Sequence, residues 1–333
     1  MRSRSISRPV LSVEDLSVTF RSPRGPETAV DRVSFELREG EIAGLVGESG
    51  CGKSVTALAL LNLVPRERAE VTGTIRLAGE TLPPRDGPGW RRVRGGGIAM
   101  IFQEPGTALD PVFTIGHQLG RVIRRHRGAG ASAARGLALE ALEQGGFPQP
   151  DQVFRAYPHQ LSGGMRQLVM IVMALVARPR VLIADEPTTA LDVTTQALVL
   201  QRLRELREST GTSILLVSHD LGVVATCCER ALVMYCGRLV EEAPYDTLFH
   251  HARHPYTSGL LAAVPRIRRP GETGPVADPV PIPGQVPALD SLPRGCHFAE
   301  RCAYADHKCR AETPKPVALQ GATVACHHPL EGP

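Results

Sequence analysis

The residues best suited to chemistry are Gly47-Glu48-Ser49-Gly50-Cys51-Gly52-Lys53-Ser54. An apolar stretch from Ile42 to Val46 precedes them, and a helix-forming stretch from Val55 to Leu63 follows. Glycines between a strand and a helix let successive backbone N–H groups turn toward phosphate, and the helix N-terminus adds partial positive charge. The Lys53 ammonium can then reach the β- and γ-phosphates, and the Ser54 hydroxyl can ligate Mg²⁺. Residues Gly47 to Val55 are therefore expected to hold a nucleoside triphosphate.

A second pair of groups follows four apolar residues in Val181-Leu182-Ile183-Ala184-Asp185-Glu186. That pattern describes a buried parallel strand ending at the ligand edge of a sheet. Asp185 is placed to hold Mg²⁺ through water, and Glu186 to polarise a water attacking the γ-phosphate. A third element, Leu161-Ser162-Gly163-Gly164-Met165-Arg166-Gln167, opens an apolar helix. Ser162 is expected to cap that helix, and Gly163 and Gly164 to expose its first N–H groups, giving a second anion site. It lies too far along the chain to serve the first loop's nucleotide.

These elements together resemble the ATP-binding-cassette ATPases, with Cys51 where Ser is commoner and Leu168 where Arg is frequent. The resemblance implies an α/β fold: a P-loop core, an antiparallel β-subdomain, an inserted helical subdomain and a cysteine-bearing C-terminal extension. It implies a dimer in which Ser162, Gly163 and Gly164 of one subunit close over ATP held by the other. It also implies roles for residues that spacing alone does not define. Gln103, after the strand Ile98 to Phe102, would contact Mg²⁺ and link the site to a membrane partner. Ala190-Leu191-Asp192 would cross the dimer interface. His219, after the strand Ser213 to Ser218, would contact the γ-phosphate. Phe20, at the end of the alternating Leu16, Val18, Phe20, would stack on adenine.

The chain has 333 residues and a net charge of +4, dispersed too widely to argue for nucleic acid. Two basic clusters, Arg91, Arg92 and Arg94, and Arg121, Arg124, Arg125 and Arg127, are read as solvated faces; attraction to anionic lipid is the alternative. The longest apolar run, Leu168 to Ala177, spans ten residues. A membrane-crossing helix needs about 20. Arg2, Arg4 and Arg8 lack the apolar stretch of a secretory signal. The expectation is a protein at the cytoplasmic face of the cell membrane, peripheral to subunits that supply the spans.

Residues 10–264 are expected to form the cassette, with the helical subdomain at about 104–176, and residues 265–333 a proline-rich linker and extension. Eight prolines between Pro265 and Pro293 argue against a helix or central strand there. Eight cysteines are present. Cys51, Cys227, Cys228 and Cys236 are scattered and read mostly as small hydrophobes. Cys296, Cys302, Cys309 and Cys326 cluster in a segment with few large apolar residues, which suggests a metal that organises it. Zinc and an iron–sulfur cubane both accept four thiolates. His297, His307, His327 and His328 lie beside the cysteines and are read as lying behind the ligands or in solvent; service as zinc ligands is the alternative.

Arg253-His254-Pro255-Tyr256-Thr257 and the run Asp185 to Val193 resemble the ATPase subunits of dipeptide and oligopeptide importers. That resemblance covers Val10 to Pro329. It implies ATP hydrolysis coupled to peptide import, with ATP, Mg²⁺ and a [4Fe–4S] cluster as cofactors; zinc is the alternative. The implied partners are a sister or identical ATP-binding subunit, two membrane permease subunits and an extracytoplasmic substrate-binding protein. A nickel or opine importer, or a soluble cassette ATPase outside transport, is the alternative reading.

Overall fold

A computed structural model describes residues 8–103, 108–189, 191–264 and 278–331. In chain order the strands are β1 (Pro9–Ser22), β2 (Gly25–Arg38), β3 (Ile42–Val46), β4 (Ala69–Leu77), β5 (Glu80–Thr81) and β6 (Ile98–Ile101). They continue as β7 (Val181–Asp185), β8 (Ser213–Ser218), β9 (Arg230–Tyr235), β10 (Arg238–Pro244), β11 (Val317–Leu319) and β12 (Ala322–Val324). Two compact units divide the chain. One takes the residues up to 12, 36–42 and 75–217, and the other takes 13–35, 43–74 and 218 onward.

In the first unit β6, β7 and β8 run parallel, with Ile98 opposite Val181 and Val181 opposite Ser213. Every residue of β7 and β8 is buried. A parallel strand covered on both faces has no solvent side, so its sequence runs apolar without alternating. The sequence extends β6 to Phe102, but β6 stops at Ile101 and Phe102 is exposed. An aromatic just past a strand end looks the same in sequence as one inside it. The helices of this unit include Ile115–Arg127, Ala131–Gln144, Pro150–Arg155, Gly163–Val176 and Val193–Thr210. Ile115, Leu119 and Ile123 recur every fourth residue and are fully buried, as an amphipathic helix requires. The apolar run from Leu168 fills the rest of the helix Gly163–Val176, most of whose residues are buried, and ends on its C-cap, Ala177.

In the second unit the strand order is β11-β12-β10-β9-β3. β3 is parallel to β9, and the others pair antiparallel. The helix after the phosphate loop is Lys53–Leu60, starting earlier and stopping earlier than the Val55 to Leu63 of the sequence reading. A separate sheet has the order β2-β1-β4-β5, with β4 and β5 antiparallel.

Of the proline-rich stretch, residues 265–277 lie outside those described, as do Arg2, Arg4 and Ala190. From residue 278 the chain runs without helix or strand to a short 3₁₀ turn at Leu289–Ser291. The tail then adds strands to the sheet that contains β10: Glu241 of β10 lies opposite Val324 of β12. The sequence has too few large apolar residues here to order a segment by itself. The structure meets that need by lending partners: Phe298 is buried, 5.2 Å from the Tyr235 ring and 5.3 Å from the Tyr256 ring. Burying one such side chain contributes about 1.5–3 kcal/mol. Among the described residues no helix is long and apolar enough to cross a membrane.

Candidate nucleotide site and cysteine cage

The phosphate loop leaves β3 and enters the helix Lys53–Leu60. Gly47 and Gly52 have φ of 153° and 102°. A Cβ on Gly47 would lie 2.1 Å from the Met234 carbonyl oxygen, and one on Gly52 2.5 Å from that of Ala29. Both conformation and space therefore demand glycine. Lys53 Nζ donates to the carbonyl oxygens of Gly47 at 2.8 Å and Glu48 at 2.9 Å. Ser49 and Gly50 are exposed, Ser54 and Val55 half-buried. Cys51 is buried, and burial pushes its thiol pKa up, so it behaves as a small apolar plug.

Glu48 carries contacts that the sequence did not announce. Its N–H donates to the Tyr256 hydroxyl at 2.8 Å. Its carboxylate accepts two bonds from the Arg301 guanidinium, at 2.7 and 3.0 Å. Tyr256 belongs to a segment singled out by resemblance; nothing in the sequence marked Arg301. Also in this unit, Phe20 is half-buried near the end of β1, and His219 is exposed just beyond β8. The turn around His219 is fixed locally. Asp220 N–H donates to Ser218 Oγ at 3.0 Å, and Asp220 Oδ1 accepts from Gly222 N–H at 2.7 Å to start the helix Leu221–Cys227.

The first unit brings Gln103 and Glu186 together. Gln103 Nε2 and Thr189 Oγ1 both donate to Glu186 Oε2, at 2.9 and 2.8 Å. Asp185 is buried at the end of β7. Glu186 has φ of 46°, a left-handed conformation that costs a non-glycine residue about 1 kcal/mol or more and concentrates at functional sites. Ser162 Oγ accepts from Met165 N–H at 3.3 Å, so the predicted cap forms. The two glycines after it differ. A Cβ on Gly163 meets nothing within 4 Å, whereas one on Gly164 would lie 2.5 Å from Thr195 Cγ2. Gly164 thus admits close packing of the helix Val193–Thr210, a constraint invisible in sequence. Asp192 caps that helix through Thr195 N–H at 3.0 Å. Bonds from the Thr195 backbone and hydroxyl hold its carboxyl below the usual range.

Cys296, Cys302, Cys309 and Cys326 line one small cavity together with His254 and Phe298. Cys296 N–H donates to the Cys309 carbonyl at 2.8 Å, and a Cβ on Gly295 would lie 2.3 Å from that same oxygen. Asp306 Oδ1 accepts from Cys309 N–H at 2.9 Å, and Asp306 Oδ2 lies 3.0 Å from His328 Nε2. The Cys309 backbone, aided by His328, holds the Asp306 carboxyl well below the usual range. Burial raises all four thiols, and with the charges of the other three thiols it pushes Cys326 up to about 12.

His254 is the cage residue that sequence reasoning missed. Its Nδ1 accepts from Tyr256 N–H at 3.0 Å, so the proton of the neutral ring sits on Nε2. Burial depresses its pKa to about 3, keeping the ring neutral. Nε2 is buried without a hydrogen-bond partner. His297 bonds away from the cage to the Cys236 carbonyl at 2.8 Å, and His307 is exposed, whereas His327 and His328 line the cage.

Comparison with known proteins adds the lineage. A family described as "ABC transporter" matches residues 30–189, and one described as "Oligopeptide/dipeptide transporter, C-terminal region" matches 240–309. The oligopeptide transport ATP-binding protein AppD of Bacillus subtilis (strain 168) is 45% identical, covering 95% of this chain and 96% of that one. The dipeptide transport ATP-binding protein DppD of Escherichia coli (strain K12) is 42% identical, covering 97% of each chain. Among solved structures, the dimeric structure of MJ0796, a bacterial ABC transporter cassette, matches with a TM-score of 0.61 at 27% identity, covering 71% of this chain and 98% of that one. Matched along nearly their whole lengths, these relatives show that the chain belongs to the ATP-binding-cassette ATPases, among the oligopeptide and dipeptide transport ATP-binding proteins.

Proposed function

We propose that this chain hydrolyses ATP to drive peptide import through a membrane transporter. The observation that carries hydrolysis is the Glu186 carboxylate, steadied at the end of β7 by Gln103 and Thr189. Peptide as the cargo is supported by the likeness of residues 240–309 to the C-terminal region of oligopeptide and dipeptide transporters. In this reading Gly47 to Val55 hold the triphosphate, Lys53 neutralises β- and γ-phosphate charge, and Phe20 stacks on adenine. Ser54, Asp185 and Gln103 would hold Mg²⁺, which supplies further charge neutralisation. Glu186 accepts a proton from water as its oxygen bonds to the γ-phosphorus. The bond to the β–γ bridging oxygen breaks, and that oxygen leaves on ADP. His219 contacts the γ-phosphate and stabilises the charge.

Ser162, Gly163, Gly164 and Asp192 act in this reading on ATP held by a partner subunit. Two permease subunits and an extracytoplasmic binding protein complete the assembly, at the cytoplasmic face of the membrane, with no role for nucleic acid. Phe102, Val112 and Phe113 leave apolar surface exposed near Gln103 in the sequence, as a docking face for permease helices would. Residues 10–264 constitute the cassette, with the helical subdomain at about 104–176, and 265–333 the linker and extension. Peptide uptake in cells lacking this gene tests the reading. Wild-type protein should restore uptake and Glu186→Gln should not; restoration by both would overturn it.

We also propose that the four tail cysteines hold a [4Fe–4S] cluster whose role is first structural. A single zinc ion with bonds of about 2.3 Å would draw its sulfurs to about 3.8 Å from one another. Among the described residues, the three-ligand group whose donor atoms all lie within 4.8 Å is Asp306, Cys309 and His328, which contains one cysteine. Four thiols lining one small cavity suit a cubane, which takes four thiolates. The unpartnered His254 Nε2–H suits it too: an unmet buried donor costs about 1–3 kcal/mol, and cluster sulfides accept hydrogen bonds. Protein prepared without oxygen should absorb near 400 nm and carry about four irons per chain. Stoichiometric zinc without iron or sulfide would replace the cluster with the alternative.

A further inference from the structure

We infer that Arg301, in the cysteine-bearing extension, is a positioning residue for the phosphate loop and acts through Glu48. The guanidinium is almost fully buried, with 5% of the side chain exposed, and its donors are committed. Nε donates to the Pro283 carbonyl at 2.8 Å, and the two terminal nitrogens bond the two Glu48 oxygens. Its plane lies 5.8 Å from the Tyr235 ring centre and 5.9 Å from that of Phe298. The Arg301 backbone N–H donates to the Phe298 carbonyl at 3.0 Å, and the next residue is Cys302. The fold of the extension therefore sets where the fork points.

What the fork holds is Glu48, the loop residue that follows Gly47. Glu48 precedes Ser49 and Gly50, and the loop's own backbone holds it by a long bond, from Cys51 N–H to its carbonyl at 3.4 Å. It is also fixed from three sides. Arg301 takes the carboxylate, the Tyr256 hydroxyl takes the N–H, and Lys53 Nζ rests on the carbonyl. The bidentate pair thus sets the carbonyl that positions Lys53, the group able to reach β- and γ-phosphates. With Glu48 N–H committed to Tyr256, phosphate must be cradled by the loop's later N–H groups. Losing either half of the pair leaves a poorly solvated charge beside the loop and loosens Glu48. The cost should fall on nucleotide affinity more than on the chemical step.

The test uses the full chain and titrates a non-hydrolysable ATP analogue with Mg²⁺. Arg301→Gln and Glu48→Gln should each weaken binding about tenfold, and the double variant should also sit near tenfold, as coupled residues require. Arg301→Lys should recover part of the loss, and kcat should fall less than affinity. Arg301→Gln binding within about twofold of wild type, or singles that multiply to about a hundredfold in the double, would overturn the inference. If Arg301→Gln loosens the extension to proteases, Glu48→Gln decides alone, because it alters only the loop side. Wild-type affinity there would refute the assignment.

Discussion

Glu186→Gln isolates the proposed base from its scaffold. Glu186 Oε2 accepts from Gln103 Nε2 at 2.9 Å and from Thr189 Oγ1 at 2.8 Å. A glutamine can place its carbonyl oxygen where Oε2 sits and keep both donors, so orientation and nucleotide binding should survive. What it cannot do is accept the proton of the attacking water. Loss of a positioned base costs about 10²–10⁴ in rate, or about 2.7–5.4 kcal/mol on the barrier at about 1.36 kcal/mol per decade. Single-turnover ATP hydrolysis should therefore slow by at least about a hundredfold while the dissociation constant for MgATP stays within about twofold. Gln103→Ala, which removes one donor at an exposed position and leaves Thr189, should slow turnover by less than about tenfold. Two results would refute the reasoning: Glu186→Gln turning over within tenfold of wild type, or a fall in affinity that matches the fall in rate.

Other expectations rest on equally local geometry. Gly164→Ala drives a methyl toward Thr195 and should destabilise by about 1–3 kcal/mol in urea melts, while Gly163→Ala, facing open space, should leave the midpoint unchanged; equal effects would remove the packing role from Gly164. Burial raises the Asp31 pKa, but the Arg238 hydrogen bond and charge, with help from Arg32, outweigh it and leave it lowered. The stability from that pair is present above the unfolded value of about 3.9 and lost as pH falls through the lower folded value, so the gap between wild type and Asp31→Asn should close in acid and persist at neutral pH. His254→Asn keeps a side-chain cap for the helix Pro255–Ala262 but removes the Nε2–H, so the midpoint potential of the iron–sulfur signal should fall. An unchanged potential would detach His254 from the cage, whereas absence of any iron–sulfur signal in the wild type would indict the cluster instead.

What could be read from sequence was what acts within a few residues. The loop Gly47 to Gly52 joins a strand to the helix Lys53–Leu60 because its glycines allow the turn. Ser162 and Asp192 cap the helices that follow them, bonding residues three along. The runs in β7 and β8 are apolar because both faces are covered. What could not be read acts across long separations. Glu48 and Arg301 are 253 residues apart, and neither type is unusual at its place. His254 looked like part of a family signature, and only burial shows that one nitrogen is bonded and the other is not. Gln103 and Glu186 were each assigned to the nucleotide; their bond to one another emerged only from the fold.

The aromatic cluster explains why extension and loop share one design. Tyr235 ends β9, Tyr256 opens the helix Pro255–Ala262, and Phe298 comes from the tail. The Tyr235 and Tyr256 ring centres are 4.6 Å apart, and both tyrosines contact Phe298. Aromatic pairs of this kind contribute about 0.5–1.5 kcal/mol beyond their area burial. Phenylalanine alone would have served that purpose, so the two hydroxyls need a separate reason. The Tyr256 hydroxyl accepts from Glu48 N–H, and the Tyr235 hydroxyl accepts from Arg301, the residue that grips Glu48. Burial holds both phenols protonated far above the usual range, so neither becomes an anion beside the phosphate site. The rings secure the tail while their polar tips secure the loop, so order in the cysteine cage and order in the phosphate loop rest on the same two side chains.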